Sequence, residues 1–325
     1  RLLEKIANLL APEFLTCPNP AHALLHASPV EAMETVNDTD HFYTQKKISS
    51  KQDETLDKSI DLFFTPVAQV NLFNAGIACL ATGNNLFTVD AGQNKMIAAQ
   101  TQHGRQVERN VLWLGLTVDD RIGHLNNLFF YFDWKNIEHT LANFNYQLLH
   151  LSKWYFNEEE IGISAGLPYG KKTGNTALTK DLSIDYDLLS LVEKDINNFY
   201  DRKFIAVSDD RVVHIGDGKE NHPGAFTDIF TETDLKKLNT KLVWLKIVFP
   251  AAIRQGSLDE LNVYTNTFPV MNRQLLDLRY RLKSGSNIIP LKTSGMEQFL
   301  SVRSLSDEKN QYHATPFRKM EEVEA

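Results

Sequence analysis

The sequence predicts a β-rich α+β fold built as two tandem β-sandwich-like domains with a few short helices. Three observations point there. Apolar residues gather in strand-length runs such as 128–132 and 242–250, bounded by Gly, Pro and Asn turn signals. Sustained three- and four-residue apolar spacing is confined to short stretches, clearest at Leu188, Leu189, Val192, Ile196 and Phe199. One pattern also occurs twice: Trp113-Leu-Gly-Leu is followed by Leu125, Leu128 and Tyr131, and Trp244-Leu-Lys-Ile by Leu258, Leu261 and Tyr264. The Trp-to-Tyr spacing is 18 in one copy and 20 in the other, a difference a turn absorbs. The repetition implies two related β-rich regions, around 60–160 and 200–310.

Taken in order, residues 1–10 place Leu2, Leu3, Ile6, Leu9 and Leu10 on one helical face that Pro12 closes. The helix starts so abruptly at Arg1 that its first turns are expected to lie upstream. A Pro-broken extended segment follows through Pro18, Pro20 and Pro29, then a polar stretch over 45–58 that reads as a loop or linker. From Ile60 the pattern turns to strands, with Gly83-Asn84-Asn85 as a hairpin turn and a polar, loop-like stretch over 90–110. Strands are expected over 111–120 and 125–134 and a short helix over 137–149; residues 145–156 fit helix or strand. Gly162, Gly166, Pro168, Gly170 and Gly174 mark a long loop over 162–183. A helix over 186–200, a strand from Lys203, a short helix over 234–238 and a strand-rich stretch over 242–305 complete the chain before a polar tail. The implied organisation is a leading segment 1–58, a first β-rich domain 59–165, a linker 166–185, and a helix with a second β-rich domain over 186–325.

Composition narrows the classes without naming a chemistry. A chain of 325 residues buries roughly 75% of its unfolded surface and needs no disulfide or metal to hold a core. The net charge of −7 and a pI near 5.8, with no Lys/Arg cluster, lack the footprint of a nucleic-acid binder. No apolar run approaches membrane-spanning length. Cys17 and Cys79 match no zinc spacing, and two unpaired thiols in a reducing cytoplasm is the favoured reading over a single disulfide.

The chemical motifs each fail a context test. Gly162-Ile-Ser164-Ala-Gly166 has the spacing of a nucleophile elbow but lacks the strand before it and the helix after it. Gly166-Leu-Pro-Tyr-Gly170-Lys171 has three residues between its glycines where a phosphate loop needs four, and Pro168 deletes an amide. Gly216-Asp-Gly218 lacks the third glycine of a dinucleotide fingerprint. His22 and His26 would share a helical face, but the surrounding prolines favour an extended chain in which they stand too far apart for one metal ion. Asp119-Asp120, Asp209-Asp210 and Glu158–Glu160 read as solvated turns, and Phe129 to Trp134 with Trp154-Tyr155-Phe156 as core strands rather than a sugar cleft. No catalytic, cofactor or metal residue is assigned.

Whole segments carry a resemblance. Glu4-Lys-Ile-Ala-Asn-Leu-Leu-Ala-Pro-Glu13, Pro20-Ala-His-Ala23 and Ser28-Pro-Val-Glu31 resemble the early region of the TssF family, in its Bacteroidetes-type branch. Phe64-Thr-Pro66, Leu80 to Phe87, Trp113-Leu-Gly-Leu with 125–134, Asn198 to Phe204, Asn266 to Arg273, Tyr280-Arg-Leu282 and Asn287 to Leu291 are similar to the same family. The family's N-terminal helical region is expected upstream of Arg1. The resemblance implies a non-enzymatic subunit of a type VI secretion baseplate wedge, assembling with TssG-like, TssE-like and TssK-like partners and a second copy of itself. It places the protein in the cytoplasm, at the inner face of the inner membrane, with no nucleic acid, membrane insertion or cofactor. The aromatic/Arg segment Phe268, Pro269, Asn272 and Arg273 is the expected partner interface. The competing class is a β-sandwich carbohydrate-binding module or glycan-active enzyme, which needs two acids facing an aromatic-lined cleft.

Overall fold

The computed structural model describes residues 19–48, 58–101, 104–168, 188–209, 222–236, 238, 241–254, 256–275, 305–306 and 311–312. The leading segment forms β1 (His22–His26), β2 (Met33–Val36) and β3 (Phe42–Ile48). There follow β4 (Lys58–Pro66), β5 (Val70–Phe73), β6 (Ala75–Thr82), β7 (Asn85–Val89), β8 (Lys95–Gln100), β9 (Val111–Val118) and β10 (Phe129–Trp134). Helix α1 (His139–His150) precedes β11 (Lys153–Phe156), β12 (Glu159–Ile161) and β13 (Ile163–Ala165). Helix α2 (Leu188–Asp201) and β14 (Phe204–Val207) lead to a 3-10 turn at Gly224–Phe226 and α3 (Glu232–Leu235). The main body ends with β15 (Val243–Val248), β16 (Leu261–Thr265) and β17 (Thr267–Asn272), and β18 (Leu305–Ser306) pairs with β19 (Gln311–Tyr312).

Strand alternation sorts the apolar side chains into three cores between successive layers. A seven-stranded sheet, β12-β11-β15-β9-β6-β7-β8, faces a four-stranded sheet, β13-β14-β10-β16. Between them lie Leu112, Leu114, Leu116, Leu245 and Ile247 from one side and Phe130, Phe132, Ile205, Val207 and Val263 from the other. Trp154 is fully buried there, its ring 5.3 Å from Phe130 and 6.0 Å from Phe132. The alternate residues of the four-stranded sheet, Phe129, Tyr131, Phe204 and Ala206, point the other way. They meet α2 through Val192, Ile196 and Tyr200, and β17 through Phe268, Val270 and Met271. The outer face of the seven-stranded sheet, with Cys79, Ala81 and Val111, is covered by Phe226, Phe230, Leu235, Leu238 and Leu242. Because β10 and β14 are covered on both faces, Phe129–Phe132 and Phe204–Val207 read as continuous apolar runs rather than alternating ones.

The β-rich, sandwich-like class is the one observed. The sheets, however, draw on both halves of the chain. Strand β15 lies between β9 and β11, and β16 pairs with β10, so 59–165 and 186–325 interleave instead of closing separate sheets. The repeated pattern explains how. In the β9–β15 pair, Leu114 opposes Leu245, and these are equivalent positions of the two copies. In the β10–β16 pair, Tyr131 opposes Tyr264, again equivalents. A local two-fold axis thus runs through both sheets at matching residues. The turns repeat as well. Ile122 donates its N–H to the Asp119 carbonyl and Ile253 to that of Pro250, while Leu128 donates to Leu125 and Leu261 to Leu258. Sequence offset between copies is 131 through Ile122/Ile253 and 133 from Leu125/Leu258, so two extra residues fall within 254–257 of the second copy.

Several local expectations hold and others do not. Thr82 pairs with Asn85, leaving Gly83-Asn84 as a two-residue hairpin loop, with Gly83 at φ 52°. Residues 45–48 belong to β3 and 95–100 to β8, where the sequence reads as loop. Both are sheet-edge strands, whose side chains are largely solvent-facing and carry little apolar alternation. Residues 163–165 likewise form an edge strand within the expected loop. The 145–156 ambiguity resolves as the end of α1 followed by β11. The helix expected over 1–10 and the Gly216-Asp-Gly218 loop lie outside the described residues.

Candidate functional site

Ser164 sits within the edge strand β13, opposite Ala206, and among the described residues no helix follows over 166–168. Gly166 follows at φ 87°, and a Cβ there would meet Asp201 Oδ1, which also accepts the Leu167 N–H at 3.3 Å. The glycine serves a close approach to the end of α2, not the strained turn that lifts a nucleophile. His22 and His26 lie on extended β1. The Nδ1 of His22 is 3.0 Å from the Tyr200 hydroxyl, and that of His26 is 3.0 Å from the Thr265 carbonyl. Among the described residues no three His, Cys, Asp or Glu side chains gather to hold a metal ion, and no helix is long and apolar enough to cross a membrane.

The acidic groups 119–120 and 158–160 each include a carboxylate paired with a cation, whereas Asp209 accepts the Gly162 N–H at 3.2 Å and Asp210 lies outside the described residues. Asp119 accepts from Arg121 Nε and from the Arg121 N–H, each at 2.9 Å, and these bonds hold its carboxyl down at about 2, with a weaker contribution from Asn74. Asp120 pairs with Lys241 at 3.5 Å and Glu160 with Lys153 at 3.4 Å. Most of the aromatic run is interior: Phe129, Phe130, Phe132 and Trp154 are fully buried, while Tyr155 and Phe156 are half-buried.

The segment Phe268–Arg273 needs correction in its aromatic half. Strand β17 is flanked by β1 on one side and β4 on the other, so Phe268 is completely buried and Pro269, opposite Leu24, is buried too. A Pro tolerates this place because its nitrogen, which has no N–H to give, and its carbonyl face the side where the β4 ladder ends at Pro66, and the carbonyl accepts the Val67 N–H there. Asn272 and Arg273 are half-buried. The Asn272 amide donates to the Phe63 carbonyl at 3.2 Å. Arg273 spreads its guanidinium over three segments: Nε donates to Thr65 Oγ1 at 2.7 Å, Nη1 to Glu193 at 3.1 Å, and Nη2 to the carbonyls of Asp38 and Pro66. This fork geometry suits Arg and not Lys. The residue clasps the leading segment, β4 and α2 together.

Sequence reasoning missed a charged cluster at the two-fold axis. Tyr131 stacks on Tyr264 with ring centres 5.9 Å apart. Lys203 lies over the rings of Tyr131 and Tyr146, at 5.8 and 5.4 Å, and 3.9 Å from Asp133. Burial pulls the Lys203 ammonium below its usual range while Asp133 opposes that shift. Burial likewise pushes the Tyr131 phenol up, reinforced by Asp133. Lys135 donates to the Tyr264 hydroxyl at 3.1 Å, which raises its pKa. The signal in the sequence was the i, i+2, i+4 spacing of Tyr131, Asp133 and Lys135; Lys203 arrives from a distant segment. Each charge here is matched by a ring face or a carboxylate, an arrangement that binds two layers together.

On the opposite side of the seven-stranded sheet, Phe226 packs edge-on against both repeated tryptophans, 5.6 Å from Trp113 and 5.0 Å from Trp244. The site the fold builds most completely is therefore this two-fold core, a scaffold rather than a cleft.

No family model matches the sequence, and no curated protein matches it. Among solved structures the chain is similar to a chain of the type VI secretion system TssK-TssF-TssG baseplate subcomplex determined by cryo-electron microscopy, with a TM-score of 0.44 and 14% identity. The match covers 95% of this chain and 49% of that one, so this chain spans about half the length of the chain it matches.

Proposed function

We propose that this chain is a structural part of a contractile injection baseplate, a TssF-like wedge component that works by protein–protein assembly and not by catalysis. One observation carries the reading. Several of the strings that resemble the family fall on central strands and turns: Trp113–Leu116 and Leu125–Trp134 form the first copy of the two-fold unit, and Asn266–Arg273 spans β17 and its clasp, while 4–13, 280–282 and 287–291 lie outside the described residues. These central strings lie on the parts that specify the scaffold, and they are what supports the reading. The partners this reading implies are TssG-like, TssE-like and TssK-like subunits, at the cytoplasmic face of the inner membrane. Within the segment 268–273, a partner contact falls to Asn272 and Arg273, the two residues with solvent-facing surface.

The test is co-expression of the complete protein with the products of its neighbouring genes, followed by affinity capture, mass spectrometry and sizing. Stoichiometric recovery of a TssG-like partner in a complex burying more than roughly 1,000 Å² is the expected result. A lone monomer that instead retains a glycan on an array overturns the reading.

A further inference from the structure

The leading segment 19–48 differs from the rest of the molecule in how it is held. Its three strands are all peripheral: β1 and β3 are the two edges of the sheet β1-β17-β4-β3, and β2 is paired with β5 in a two-stranded ribbon. Of its thirty residues only Pro29 is buried among those whose side chains are described. Its attachment is mostly backbone ladder, running His22–His26 against Thr267–Met271, Met33–Val36 against Val70–Phe73, and Phe42–Ile48 against Lys58–Phe64. Ala23, Leu24, Leu25, Ala27, Val36 and Phe42 rest half-buried on the core beneath. Val30, Met33 and Tyr43 stand outward, 84%, 54% and 71% exposed. Arg273 reaches its β2–β3 turn through the Asp38 carbonyl, and the Leu275 N–H donates to His41 Nε2.

We propose that this arm is an exchangeable strap, which leaves its own sheet as a unit and docks on the same sheet of a second copy of the chain. The argument is one of complementarity. A departed arm uncovers one edge each of β17, β4 and β5, together with an apolar face, and such edges pair with another strand rather than remain open. The segment whose register and half-buried side chains already fit all three edges is the arm itself, so a second copy's arm restores every contact. The low burial makes departure inexpensive compared with opening β9 or β15, whose inner-face side chains are buried and whose outer faces are largely covered. The inference concerns contacts between copies and stands independently of the baseplate reading.

The experiment uses the full chain. Amide exchange is expected to show the arm exchanging as one block at least about tenfold faster than β9 and β15. Concentrated protein, mixed as isotope-labelled and unlabelled chains, is expected to give mixed dimers in native mass spectrometry, and Arg273→Ala to raise their share several-fold. A second variant, Tyr43→Cys with Phe63→Cys in a Cys17→Ser background, joins residues that face each other across β3 and β4. Once its disulfide is closed within one chain, as read by loss of free thiols, mixed dimers are expected to vanish. Dimers that persist in the locked variant, or no dimer at any concentration, overturn the proposal.

Discussion

The two strand–turn–strand units, 111–134 and 243–265, share a pattern, a turn geometry and a set of buried positions, yet they are not interchangeable. On the axis, like meets like: Leu114 faces Leu245 and Tyr131 faces Tyr264. One step off the axis, symmetry would force each tryptophan against the same residue, and here the copies differ. Trp113 faces Lys246, whose ammonium lies 5.6 Å over the indole, whereas Trp244 faces Gly115. A Cβ at Gly115 would lie 2.9 Å from the Trp244 ring, so the glycine provides the floor on which that indole rests. The second copy's longer turn is used too: Ser257, in the inserted stretch, accepts Asn145 Nδ2 on its hydroxyl at 2.6 Å and Trp134 Nε1 on its carbonyl at 2.8 Å. A duplicated unit can be self-complementary at its axis, but away from it the copies must diverge to pack.

The largest effect is expected where both copies share one neighbour. Phe226→Ala removes the ring that touches Trp113 and Trp244 together, and should cost about 4 kcal/mol in chemical denaturation. A loss below about 1 kcal/mol would mean the two tryptophans hold their places without it. Next come the axial leucines. Leu114→Ala and Leu245→Ala should each cost about 3 kcal/mol, equally if the axis is real, because both are fully buried and face one another. The double variant should then cost less or more than the sum by at least about 0.5 kcal/mol, as contacting residues do. Clearly unequal single losses would break the equivalence.

How much of this was readable in advance follows from where each residue sits. The strands of the two copies were legible because their buried faces leave apolar runs bounded by turns, and the Trp-to-Tyr pattern was visible directly. The interleaving was not, since strand partners 130 residues apart leave no local mark, and tandem domains and a shared sheet give the same string of strands. Edge strands such as β3 and β8 carry no apolar/polar alternation, since alternation needs one buried face, and so read as loop. Phe268 was misjudged for the same reason in reverse: an aromatic and an Arg flanking a Pro look like a docking segment until β1 and β4 close over both sides of the strand. Of the axial charged cluster, Asp133 and Lys135 leave only their i, i+2 spacing as a mark, which does not distinguish them from any exposed strand face, and their partner Lys203 leaves none.

The off-axis difference between the copies yields a smaller pair of effects. Gly115→Ala should destabilise by roughly 2 kcal/mol through overpacking against Trp244, with thermal unfolding as the readout. Lys246→Ala, at the equivalent position, should cost under about 1 kcal/mol, the size of a partly exposed cation–π contact. If alanine were tolerated equally well at both positions, the asymmetry would be incidental rather than a packing requirement.

The smallest effect at neutral pH is a titration beside the same glycine. Cys79 on β6 pairs with Gly115 from the side opposite Trp244, and its thiol is buried. Burial pushes its pKa from 9.0 up to about 12. A raised folded-state value means the folded chain holds the proton longer than the unfolded chain. Stability from this group is therefore complete below pH 9 and is lost as pH rises from there towards 12. Cys79→Ala should flatten that alkaline loss while leaving a small cavity cost at pH 7. In the parent chain with Cys17→Ser, Cys79 should resist thiol reagents at pH 8 until the protein unfolds. Gly115→Ala should quicken labelling, because a shifted Trp244 loosens the sheet next to the thiol; unchanged labelling would show that the strain stays on the β15 side and never reaches β6.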